Sequence, residues 1–140
     1  MKLTKQPSQQ QGSMLLEALI AILIFSMGIL ALVGLQAASI KSVADAKYRT
    51  DASFLANQLI GEMWVDKPNI ASYAYAGSGA VPAKLTVWAD AVSSALPGAS
   101  AHLPKVTVGL TGEVKVEIFW QPPQDASPHN FTAVAYIEFN

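Results

Sequence analysis

Side chains that commonly carry catalysis or hold metals are cysteine, histidine, clustered carboxylates and hydroxyl–base pairs. This 140-residue chain has few of them. It has no cysteine, which excludes a disulfide framework, a thiolate metal site, a cysteine nucleophile and a lipid anchor on a terminal thiol. Its two histidines, His102 and His129, fall in separate proline-containing stretches with no HExxH pattern or clustered carboxylate in the neighbouring sequence. Both read as solvated loop side chains, and no metal is expected. Asp125, Ser127 and His129 lie close together in sequence. A catalytic triad, however, depends on an oriented base, which a proline-rich loop seldom supplies. Gly77, Ser78 and Gly79 have no GKS or GKT after them and are no phosphate cradle. Asn130, Phe131 and Thr132 match a glycosylation sequon. The chain reads as non-enzymatic, with no catalytic residue and no cofactor.

One ionisable residue stands out by its surroundings. Glu17 lies near the start of an apolar block, and residues 18–40 carry no charge at all. In residues 13–35, 18 of 23 positions are apolar; removing them from the total of 72 leaves 54 of 117, ordinary for a water-soluble domain. About 20 apolar helical residues span the roughly 30 Å of a bilayer core, so a purely cytosolic protein is not expected. The block is too long for a signal-peptide core, and no small-x-small cleavage site follows it. A carboxylate at the centre of a membrane helix costs on the order of 3 kcal/mol, less near the interface, and usually marks a partner.

Gly12, Ser13, Met14, Leu15, Leu16 and Glu17, followed by an uninterrupted apolar helix, resemble the class III signal of type IV pilins and pseudopilins. The resemblance implies cleavage by a prepilin peptidase between Gly12 and Ser13, N-methylation of Ser13, and a mature chain whose fifth residue is Glu17. Family members usually have Phe or Met where this chain has Ser13. Within a bundle of parallel helices, such a carboxylate can be satisfied by the positive amino terminus of a neighbouring subunit, which fixes axial register. Lys2 and Lys5 on one side of the block, against Lys41, Lys47 and Arg49 on the other, give no clear orientation. The resemblance implies a cytoplasmic amino terminus and a periplasmic head.

The elements that must position these residues follow from periodicity. Tyr48, Ala52, Leu55, Leu59 and Met63 step by three or four, so the apolar helix continues as an amphipathic one to about Asp66, where Pro68 and Asn69 stop it. Asp45 with Arg49 and Lys47 with Asp51 are spaced for i,i+4 ion pairs. A helix over residues 14–65 runs roughly 75 Å, too long for one small globule to cover. Gly28 and Gly34 loosen it; they permit either local melting or close approach of another helix. Residues 73–82 read as a mobile loop. A second helix is expected from Ala83, with Leu85, Trp88, Ala89, Val92, Ala95 and Leu96 on one face and Pro97 and Gly98 at its stop. Val106, Val108 and Leu110 alternate, as do Val114, Val116, Ile118 and Trp120, which predicts a hairpin turning at Thr111 and Gly112. After a loop over residues 121–130, Phe131, Ala133, Ala135, Ile137 and Phe139 alternate in a third strand. Trp64, Trp88 and Trp120 all fall on faces expected to be buried.

The expected fold is α+β and pilin-like: a leader over residues 1–12, a transmembrane or fibre-core helix over 13–35, its amphipathic continuation over 36–67, and a head over 68–140. The run GLQAASIKSVADAKYRTDASFLANQLIGEMW, then a helix containing Trp88, then a strand ending in Trp120, resembles the PilV group of minor pilins. That resemblance implies a minor pilin that primes or modifies type IV pilus assembly within a tip complex. The partners implied are other minor pilins, the major pilin, prepilin peptidase, the inner-membrane assembly machinery and the inner membrane itself. A minor pseudopilin of type II secretion shares the same leader, and a tip adhesin is a further alternative. Nucleic acid is not expected as a partner, since without Lys2 and Lys5 seven basic residues face ten acidic ones, a net of −3.

Overall fold

The computed structural model describes residues 11–123 and 125–138. Two helices and three strands follow one another along the chain: α1 (Gln11–Val65), α2 (Thr86–Ala95), β1 (Lys105–Val108), β2 (Glu113–Trp120) and β3 (His129–Tyr136). The chain divides into two compact units, Met1–Val43 and Ala44–Asn140.

In the described part of the first unit the backbone is helical throughout, and every side chain from Gly12 to Val43 is exposed. No charge interrupts the apolar surface between Glu17 and Lys41. Ser26, a polar side chain within it, donates its hydroxyl to the Ile22 carbonyl at 2.7 Å, so the polar group is satisfied by its own helix. This helix is long and apolar enough to cross a membrane.

The second unit is an α+β domain with its own core. From Ala44 onward α1 becomes one-sided: Ala52, Leu55, Ala56, Leu59, Ile60 and Met63 are buried at helical spacing. Of the two expected i,i+4 pairs, Lys47 and Asp51 meet at 3.1 Å. Asp45 lies instead beside Asp125 and His129. After Val65 the chain tightens into a 3-10 segment, Lys67–Tyr73, entered through Pro68. Asp66 holds this junction: its carboxylate accepts hydrogen bonds from Lys84 Nζ, from Asn69 Nδ2 at 2.7 Å and from the Tyr73 hydroxyl at 3.1 Å. These donors, Lys84 foremost, hold the Asp66 carboxyl below its ordinary range, whereas burial and then the Asp66 contact push the Tyr73 hydroxyl up.

A short 3-10 turn, Ala83–Leu85, leads into α2. The helix buries Trp88, Ala89 and Val92, flanked by buried Leu85 and Leu96. Trp88 donates its indole N–H to the Leu55 carbonyl at 2.9 Å and so ties α2 to α1. The sheet is antiparallel in the order β1-β2-β3. Its central strand alternates cleanly, with Val114, Val116, Ile118 and Trp120 in the core. Phe131, Ala133 and Ala135 of β3 line the same side, half-buried.

Four expectations change in detail. Trp64 is 44% exposed, because Met63 takes the core position and the next residue turns about 100° away; its ring lies 4.8 Å from Lys67 Nζ instead. Ala95 is exposed at the end of α2. Leu110 is fully exposed, because β1 stops at Val108 and residues 109–112 form the turn. There Gly112 has φ +85°, and a Cβ on it would stand 2.5 Å from the Ile137 carbonyl oxygen, so only glycine fits without displacement. The expected loop over residues 73–82 is anchored at its start: Tyr75 is buried and exchanges two backbone hydrogen bonds with Val106, at 2.9 and 2.8 Å. The expected strand residue Phe139 lies outside the described residues.

Candidate functional site

The residues singled out at the amino-terminal end share one helix. Ser13 and Glu17 are one turn apart on α1, and Leu16, Ile20, Ala21 and Ile24 continue the same exposed face. Gly12 and Ser13 both lie on α1, with helical backbone. Residues 1–10, which fall in the expected leader, lie outside the described residues.

Gly28 and Gly34 sit in unbroken helix. A Cβ built on either meets nothing within 4 Å, so no packing within the chain requires glycine there. Both positions are open to the environment of the helix, and each lowers the cost of local unwinding by about 1 kcal/mol relative to alanine.

A second group of residues, in the head, is brought together by folding. His102 Nε2 is 2.9 Å from Gln121 Oε1, and Gln121 Nε2 donates to the Asp125 carbonyl at 2.8 Å. His129 Nε2 is 2.7 Å from Asp125 Oδ2, and its imidazole stacks on the Trp120 indole with centroids 5.8 Å apart and planes 14° apart. The Gln121 backbone N–H also donates to the Pro97 carbonyl at 2.8 Å. Gly98 has φ +69°, and a Cβ there would stand 2.8 Å from the Gln121 carbonyl oxygen. The loop after α2 and the loop after β2 are thus locked to each other. The histidines are engaged, not solvated as their loop positions imply. Ser127 is exposed, and among the described residues no hydrogen bond joins its hydroxyl to His129, so the arrangement is not a nucleophile and base.

Sequence spacing did not reveal the Asp45 contact. The three donors Asp45, Asp125 and His129 lie within 4.8 Å of one another, although Asp45 comes from α1 and the others from the loop before β3 and the strand itself. No family profile, characterised protein or solved structure matches this chain.

Proposed function

We propose that this chain is a minor type IV pilin of the PilV kind, which primes or modifies pilus assembly within a tip-located complex. The observation carrying this reading is the coincidence of Gly12, Ser13 and Glu17 at the start of an apolar helical stretch whose large side chains are all exposed. An apolar surface of that extent needs a cover, and lipid and a bundle of like helices are the two that accept it. In this reading the helix is held in the inner membrane with the head in the periplasm, prepilin peptidase cuts after Gly12, and the same surface then packs against other minor pilins and the major pilin. Glu17 supplies the one polar contact that distinguishes a subunit neighbour from lipid. No enzymatic step is assigned to the chain.

The deciding measurement is the intact mass of the protein extracted from membranes of cells with active prepilin peptidase. Loss of residues 1–12 with one added methyl group is the expected result, and an uncut chain would sink the reading. Deletion that removes surface pili, and not exoprotein secretion, separates this reading from a type II secretion pseudopilin.

A further inference from the structure

We infer that Asp45, Asp125 and His129 form a site for a divalent transition-metal cation that pins the loop before β3 to α1. One imidazole nitrogen and two carboxylate oxygens lie within 4.8 Å of one another on half-buried side chains. That donor set suits zinc-like cations, which take nitrogen and oxygen together, better than calcium, which takes oxygen alone. Donors about 2.1 Å from a tetrahedral cation stand about 3.4 Å apart, so closing the cluster needs only small side-chain rotations. The 2.7 Å contact between His129 Nε2 and Asp125 Oδ2 is already shorter than that and would open slightly to admit the ion.

Two further observations support a ligand here. The donors are held from behind, as ligands of metal sites are. Gln121 grips the Asp125 backbone and is itself gripped by His102, while the Trp120 indole fixes the plane of His129. Trp120 is 2% exposed, and its Nε1 is a buried donor with no acceptor among the described residues. The stacking contact puts that indole beside His129, one of the three donors. Three protein ligands leave a fourth coordination position open for water.

This site is independent of the pilin reading and stands or falls separately. The test uses tag-free full-length protein in detergent micelles, stripped with chelator and titrated with zinc ion by equilibrium dialysis and by thermal unfolding. Wild type is expected to take up one saturable equivalent and to unfold at a higher temperature with zinc than without. Asp45→Asn, on the helix surface and nearly isosteric, should weaken uptake at least about tenfold and abolish the thermal shift. His129→Gln should do the same, and His102→Gln, which only supports the loop, should keep the stoichiometry. If His129→Gln fails to fold, Asp45→Asn alone decides. Absence of saturable uptake, uptake undiminished in Asp45→Asn, or preference for calcium over zinc would each overturn the assignment.

Discussion

The three tryptophans divide by a single hydrogen bond and a single step of helical rotation. Trp88 is buried and donates to the Leu55 carbonyl, so its indole both fills the core and links two helices. Trp64 lies one residue past a core methionine and faces outward over Lys67. Trp88→Phe keeps most of the ring volume but removes the indole N–H that bonds this carbonyl beside its own helical donor, and should destabilise the head by about 1–2 kcal/mol. Trp64→Phe should change stability by no more than about 0.5 kcal/mol. Denaturant melts of the head, followed by far-UV circular dichroism, check both; equal costs would mean that the indole bond contributes nothing. Glu17 was legible without a fold, since a carboxylate in an uncharged block is anomalous on composition alone. Trp64 was not, because all three tryptophans sit beside apolar runs, and only the angular phase of α1 separates Met63 from its neighbour.

At the scale of elements, the long helix, the second helix and the hairpin follow from periodicity, and their ends follow from Pro68, from Pro97 with Gly98, and from Gly112. The missed features are contacts between elements. Asp45 reads as half of an i,i+4 pair with Arg49, yet it meets a loop and a strand far along the chain. Asp66 reads only as a helix end, yet it gathers Lys84, Asn69 and Tyr73 and so joins α1, the 3-10 segment and the approach to α2. Because its donors hold the folded-state pKa of Asp66 below the ordinary carboxylate value of 3.8, the unfolded chain binds the proton more readily. The stabilisation is therefore present in full above the ordinary value and is lost as pH falls through the lowered one. Wild-type head stability should drop across that acid window more steeply than that of Asp66→Asn, whose amide does not titrate. Melting temperatures measured from pH 6 down to pH 2 read the difference, and parallel curves would show that the junction is not held by this charge.

In the whole molecule, the two units differ in which surface each leaves exposed. Among the described residues, every buried apolar residue of the core comes at or after Ala52, so the second unit closes its core from its own residues. The first unit does the opposite. From Met14 to Leu35 its large apolar side chains stand between 46% and 73% exposed, a contiguous apolar surface far beyond the few hundred Å² a soluble monomer tolerates. Burial in hydrocarbon is worth roughly 25 cal/mol per Å² of such surface, enough to hold the chain in a bilayer against washing with alkaline carbonate. A guanidinium at the centre of the span costs on the order of 3 kcal/mol, so Ile24→Arg combined with Ile20→Arg should move much of the protein out of the carbonate-resistant membrane fraction. The head should keep its near-UV circular dichroism in that variant, because Trp88 and Trp120 pack among residues the substitutions do not touch. Wild-type protein released by carbonate alone would mean that the apolar face is covered by something other than lipid.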